Sequence, residues 1–201
     1  MAIKCVFFDF DGVLRHWDFG MYGIEEKFGI PLEAIHEECF SDASVNPAVL
    51  GEITDPEWRA GVAARLVKRF PDKDAKGAVK YWDSTTGEIV PEVLALVNEC
   101  KAVAKVALFT NATTKLNQDM KALGIDNLFD YVVNASEIGA KKPEPEIYHH
   151  AVKLAGVDPE EAFFVDDREH MIATAVQLGW SGHVFENAAG LRTALVDAGV
   201  L

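Results

Sequence analysis

Apolar residues fall along this chain in two patterns, short unbroken runs and longer periodic ones, and the two alternate. The runs 3–8 (Ile3, Lys4, Cys5, Val6, Phe7, Phe8), 106–109 (Val106, Ala107, Leu108, Phe109) and 162–165 (Ala162, Phe163, Phe164, Val165) are almost continuously apolar. That is the pattern of a central parallel strand covered on both faces. Each run stops abruptly at polar residues: Asp9-Phe10-Asp11-Gly12, Thr110-Asn111 and Asp166-Asp167. Weaker runs at 131–133 and 183–185 predict two further strands. Helical spacing predicts helices over 91–100, 114–123, 144–155 and 169–178, the last three stopped by Gly124, Gly156 and Gly179. Glycine after the last apolar turn supplies a left-handed cap. Strand alternating with helix predicts an α/β fold, a parallel sheet with right-handed crossovers. In such a sheet the binding crevice lies beyond the carboxyl ends of the strands. Asp9, Asp11, Thr110, Asp166 and Asp167 are all expected there.

Residues 15–88 interrupt the alternation. Only helical patterns occur in them, such as 31–39 and 56–70, with Asp55 expected to cap a helix that has Pro56 at its first position. Trp58, Val62, Leu66 and Phe70 recur every four residues and form one apolar stripe. The segment reads as a small helical domain inserted after the first strand. Residues 1–14 and 89–201 then make the core domain, and the crossings lie near 15–18 and 84–88. Trp17, Trp58 and Trp82 are expected to be core residues of the insert rather than a substrate pocket.

Composition narrows the partners. An apolar share of 49% and a charged share of 25% are ordinary for a globular domain. No apolar run reaches the length of a membrane span, and the first residues lack the cleavage pattern of a signal peptide. A cytoplasmic location without membrane contact is therefore expected. A net charge of −13 disfavours nucleic acid and anionic lipid. It would also repel a phosphorylated ligand unless a bound cation reversed the local sign. Cys5, Cys39 and Cys100 are odd in number and widely spaced, so they are expected as free thiols in a reducing compartment.

Asp9 and Asp11 stand one residue apart at a strand end, where Gly12 permits a sharp turn. Two like charges this close require a cation or a shared proton. Asp166-Asp167 ends another buried strand, and a parallel sheet brings it towards the first pair. Three or four carboxylates at one crevice form a hard-oxygen site suited to Mg²⁺. Thr110 can donate to a phosphoryl oxygen, and Lys142, ahead of Pro143, can neutralise a transferring group. Lys141, His149, His150 and His170 are expected in ordinary solvated or packed roles.

The segments Phe8-Asp9-Phe10-Asp11-Gly12-Val13-Leu14, Leu108-Phe109-Thr110-Asn111, Lys141-Lys142-Pro143 and Phe164-Val165-Asp166-Asp167 resemble, in order, the four motifs of haloacid dehalogenase-like hydrolases. The resemblance spans nearly the whole core. It implies a Rossmann-like domain with a helical cap. It also implies Asp9 as nucleophile, Asp11 as general acid and then base, Thr110 as phosphoryl-binding residue and Lys142 as charge stabiliser. Asp167 would ligate Mg²⁺ directly, Asp166 directly or through water, and Asp9 and the backbone carbonyl of Asp11 would complete the set. Asn111, Arg15 and His16 are further candidates for substrate contact. The implied activity is hydrolysis of a small phosphorylated metabolite through an aspartyl-phosphate. A phosphosugar mutase fits every core motif equally. A dehalogenase does not call for Asp11, and a receiver-type signalling module would place the acidic pair first. A regulatory binding protein would be expected to have lost a catalytic position, and none is lost.

Overall fold

The computed structural model describes residues 2–17 and 19–201, with side chains for all of these except 19–22. Asp18, at the expected first crossing, lies outside the described residues. Strand β1 (Cys5–Phe8) is followed by a short strand β2 (Arg15–His16) and helices α1 (Phe19–Phe28), α2 (Leu32–Phe40), α3 (Asp42–Val49), α4 (Asp55–Arg69) and α5 (Ala75–Asp83). The short strand β3 (Glu88–Ile89) leads to α6 (Pro91–Lys101), β4 (Lys105–Thr110), α7 (Leu116–Ala122), β5 (Tyr131–Asn134) and α8 (Ala135–Ile138). The chain ends with α9 (Pro145–Ala155), β6 (Ala162–Asp166), α10 (Glu169–Gln177), β7 (Ser181–Val184) and α11 (Ala188–Asp197).

Among the described residues, five strands form a sheet in the order β5-β4-β1-β6-β7, with every pairing parallel. The continuous apolar runs are explained by its two covered faces. Cys5, Phe7, Ala107, Phe109, Ala162 and Phe164 enter one core with residues of α9 and α10, while Val6, Phe8, Val106, Leu108, Phe163 and Val165 enter another with residues of α6 and α11. On the first face Phe7, Phe109, Tyr148, Phe164 and Trp180 pack ring against ring at centroid distances of 4.7–6.2 Å. The Tyr148 hydroxyl, buried among them, donates to the Met171 carbonyl at 2.9 Å. A strand buried on both faces has no polar side to expose until its last residue, so the first polar side chains appear at the sheet's carboxyl edge.

Helices α1 to α5 pack on one another around a separate core that contains Ile24, Trp58, Val62, Leu66 and Trp82. Trp58 and Trp82 meet edge to face at 5.2 Å, and Trp17 packs partly buried against the same cluster. The predicted helix over 56–70 forms, but its cap differs from the expectation. Thr54, not Asp55, is the capping residue, in a reciprocal capping box with Glu57. Asp55 is released for another use. Its carboxylate pairs with Arg59 at 2.5 Å and accepts from the Thr113 hydroxyl at 2.7 Å, and its N–H donates to the Thr114 hydroxyl. Helix α7 begins at Leu116 rather than at 114. A two-stranded antiparallel ribbon of β2 and β3, not expected from the sequence, joins the two crossings. The three cysteines are free and buried, and burial pushes the thiols of Cys5 and Cys39 up to about 12 and that of Cys100 to about 11.

The insert touches the core closely at Gly51, which has φ +73°, and a Cβ placed there would lie 2.1 Å from the Ser136 carbonyl oxygen. Gly156 has a similar φ of +65° but open space around it. Gly51→Ala and Gly156→Ala should therefore share a left-handed backbone cost of about 1–2 kcal/mol, while only Gly51→Ala also forces the insert off the core. Thermal unfolding of both variants checks this; equal losses would show that the Gly51 contact adds nothing.

Candidate active site

Parallel pairing of β1 with β4 and β6 brings the polar strand ends together. The Asp9 N–H continues the ladder by donating to the Val165 carbonyl at 2.9 Å, which fixes Asp9 beside Asp166. Lys142 reaches the same point from the loop before α9. Its Nζ lies 2.9 Å from Asp9 Oδ1 and 2.6 Å from Asp166 Oδ2, and it donates to the Phe109 carbonyl at 3.0 Å. An ammonium has three N–H donors, and here each has an acceptor. The remaining Asp166 oxygen accepts from the Arg168 N–H at 2.9 Å. Asp9, Asp166 and Lys142 are all buried.

Carboxylate oxygens of Asp9, Asp166 and Asp167 lie within 4.8 Å of one another. Three hard anionic oxygens so placed fit Mg²⁺. Gly12 is required beside them: its φ is +89°, and a Cβ there would lie 2.4 Å from an Asp167 carboxylate oxygen. Burial raises the Asp9 carboxyl to about 7, with Asp166 and Asp11 adding to the rise and Lys142 opposing it. Burial and then the neighbouring Asp166 also raise Asp167.

The carboxylate of Asp11 does not join this group. Both of its oxygens accept from Arg15, Oδ1 from Nε at 2.6 Å and Oδ2 from Nη2 at 3.0 Å. Of the three or four carboxylates expected to converge, three do, and that of Asp11 is held by the guanidinium instead. Arg15 itself, expected to touch substrate, is buried and committed to protein acceptors. His16 is exposed and sits opposite Glu88 in the β2–β3 ribbon. Asn111, another candidate for substrate contact, spends its amide on the main chain of Lys142: Nδ2 donates to the Lys142 carbonyl at 2.9 Å and Oδ1 accepts from the Lys142 N–H at 2.8 Å. This pair ties the loop after β4 to the loop that carries the amine. Thr110 is buried at the end of β4, paired with Asn134. Lys141 is not merely solvated; its Nζ donates to Asn46 Oδ1 in α3 at 2.7 Å. His149, His150 and His170 are exposed, as expected.

Sequence reasoning missed Asp119 and Lys115, and gave Asp55 a capping role in place of its contacts with Arg59 and Thr113. Lys115 and Asp119 are four apart on α7 and paired at 2.6 Å, a spacing that hints at a helical ion pair. Nothing local reveals that Asp119 also holds Arg15.

A model of the haloacid dehalogenase-like hydrolase family matches residues 3–179. A flavin mononucleotide hydrolase of Arabidopsis thaliana is 31% identical over 96 residues, which cover 48% of this chain and 39% of that protein. This chain thus spans less than half of that relative's length. A phosphatase of Mycobacterium tuberculosis is 24% identical over 205 residues, covering 98% of this chain and 88% of that one. Among solved structures, a haloacid dehalogenase family enzyme of Bacteroides thetaiotaomicron in complex with magnesium and inorganic phosphate has a TM-score of 0.75 at 24% identity, covering 92% of this chain and 95% of that one. That likeness is one of fold.

If the three carboxylates hold a cation, the raised Asp9 carboxyl gives its binding a pH dependence. Below about pH 7 a proton occupies the group that a cation needs ionised, so Mg²⁺ affinity should fall by about tenfold per pH unit on acidification and level off above neutrality. Calorimetric titration of Mg²⁺ across this range checks the slope, and Asp9→Asn should flatten it. An affinity in the unaltered protein that stays constant down to about pH 5.5 would contradict this account of Asp9.

Proposed function

We propose that this chain, which belongs to the haloacid dehalogenase-like hydrolases, is a magnesium-dependent phosphatase of small phosphate monoesters that works through an aspartyl-phosphate on Asp9. The observation that carries this reading is the Lys142 ammonium between Asp9 and Asp166, with Asp167 in reach of the same point. A nucleophilic carboxylate beside a fixed positive charge and a hard-cation site is suited to a phosphoryl group and needs no other electrophile. Asp9, Asp166 and Asp167 would hold Mg²⁺, which would supply positive charge to offset that of the phosphoryl group.

An Asp9 oxygen attacks phosphorus, an O–P bond forms, and the bond from phosphorus to the leaving oxygen breaks. Lys142 offsets the charge of the nucleophile and of the group in flight. Asp11 delivers its proton to the leaving alkoxide. Water then forms an O–P bond while the bond to Asp9 breaks, and Asp11 takes the water's proton, which restores both residues. Thr110, at the strand end, donates to a phosphoryl oxygen.

Residues 15–88 serve as the cap that encloses the leaving group. Contacts from Gly51 to Ser136, from Asn46 to Lys141 and from Asp55 to Thr113 and Thr114 support this reading, because all three fall on core segments that follow the strand ends. A cap held on the rim admits a metabolite such as a sugar phosphate and hinders a macromolecule. The flavin mononucleotide named for the Arabidopsis relative belongs to the same class of small phosphate esters.

Two variants test the roles. Asp9→Asn should abolish both turnover and a trappable phosphoenzyme. Asp11→Asn should lose about 10² to 10⁴ in kcat on an alkyl or sugar phosphate but much less on an aryl phosphate, whose leaving group needs no proton. Measuring phosphate release across a panel of leaving groups, with and without a chelator, checks both. A phosphoenzyme in Asp9→Asn, full turnover in excess chelator, or equal losses on all esters in Asp11→Asn would overturn the assignment.

A further inference from the structure

We propose that Arg15 is the positioning residue for Asp11, fixing the direction of the side chain that, in the reaction proposed above, passes a proton to the leaving oxygen and takes one from the attacking water. The inference rests on the role given to Asp11 above. Asp11 is 47% exposed at its side chain while Arg15 is only 4% exposed, so the fixed member of the pair is the cation. An aspartate this exposed, left alone, would distribute itself over several rotamers. Two parallel bonds from one planar guanidinium remove that freedom, because a two-point contact fixes direction as well as distance.

The guanidinium is immobilised on every side that does not face Asp11. Its Nη1 donates to Asp119 Oδ2 at 2.8 Å and to the Thr86 carbonyl at 3.2 Å. Its plane lies between the rings of Phe10 and Trp17, with Cζ at 4.0 Å and 4.4 Å from the ring centroids. Asp119 is held in turn by Lys115. The backbone folds to bring the pair together: the Arg15 N–H donates to the Phe10 carbonyl and the Gly12 N–H to the Arg15 carbonyl, closing a tight loop around the aspartate. At the second crossing, the carbons of the Arg15 stem lie 3.1 Å from where a Gly87 Cβ would be, so the arginine fills the space that this glycine leaves open. Every nitrogen of the Arg15 guanidinium thus has a protein acceptor, and with the side chain buried a substrate contact is disfavoured. Its remaining effect on the reaction passes through Asp11.

Misplacing a reacting group by about 1 Å can cost roughly 10² in rate, and this sets the size of the effect. In the full-length protein with Mg²⁺, Arg15→Met keeps the apolar stem between Phe10 and Trp17 but removes the fork. It should lower kcat on an alkyl phosphate by about ten- to a hundredfold, with KM nearly constant, and lower kcat on p-nitrophenyl phosphate several times less. Arg15→Lys keeps the charge and should recover only part of the loss, since one ammonium cannot fix both oxygens. Asp119→Asn, which loosens the arginine without touching Asp11, should shift the ratio of alkyl to aryl rates in the same direction by a smaller factor. It remains informative if the Arg15 variants do not fold. Equal losses on the two esters, or a raised KM at unchanged kcat, would overturn the inference in favour of a structural role or a substrate contact. Asp11→Asn, run in parallel, separates the two levels of argument. If it shows the leaving-group dependence and the Arg15 and Asp119 variants do not, the positioning role is wrong while the reading of Asp11 stands. If it shows none, the reading of Asp11 itself fails.

Discussion

One ammonium group holds the active edge of this sheet together. The fold gathers Asp9, Asp166 and Asp167 at the ends of two adjacent parallel strands, and like charges out of water repel strongly. Lys142 sits between the two buried members, at 2.9 Å and 2.6 Å. Breaking a buried pair by removing one partner typically costs about 3–5 kcal/mol, because the other charge is left unpaired. Here two carboxylates would be left at once. Much of the surrounding structure serves to hold this lysine. Asn111 grips its main chain from the loop after β4, the Phe109 carbonyl accepts from its amine, and the rings of Phe109 and Phe164 lie about 5 Å away, at 5.2 Å and 5.0 Å. The aromatic core under the sheet keeps water away from the pair, which strengthens the attraction and raises the cost of any defect.

A second run of charges leads from Asp11 to the junction of core and insert. Asp11 pairs with Arg15, Arg15 with Asp119 and Asp119 with Lys115, whose Nζ lies 4.0 Å from Asp83 at the end of α5. Asp83 also meets Arg59, which pairs with Asp55, and Asp55 returns to the core through Thr113 and Thr114. Surface ion pairs of this sort would contribute little, but Arg15, Asp119, Lys115, Asp55 and Arg59 are all buried. Since charges alternate along the run, moving the insert would disturb pairs on both sides of it, including the one that holds Asp11. The placing of Asp11 and the seating of the insert therefore draw on the same contacts.

Most of the core could be read from the chain because its determinants are local. Strands β1, β4 and β6 carry apolar residues on both faces and end at carboxylates or a threonine, so both their burial and their direction are written in consecutive residues. Gly156 closes α9 in the left-handed conformation that its position suggested. The misreadings arose where a side chain had a choice of partners. Thr54 and Asp55 are both good capping residues; the capping box with Glu57 selected Thr54, and Asp55 found partners 58 and 59 residues away. Arg15 was legible as a cation next to the Asp9–Gly12 turn, but its engagement with Asp119, 104 residues on, was not.

The sequence by itself determined the alternation of strand and helix, the separate core of the insert, and the four polar segments that the sheet would bring to one edge. Hydrophobic periodicity and turn chemistry act between near neighbours, so each can be read in a window of a few residues. Only the tertiary structure decided how the charged groups divide among partners: Lys142 to Asp9 and Asp166, Arg15 to Asp11 and Asp119, Asn111 to the backbone of Lys142. Charge has no period along a chain. A carboxylate can accept from any cation that folding brings within about 3 Å, and which cation arrives is set by the packing of elements far apart in sequence.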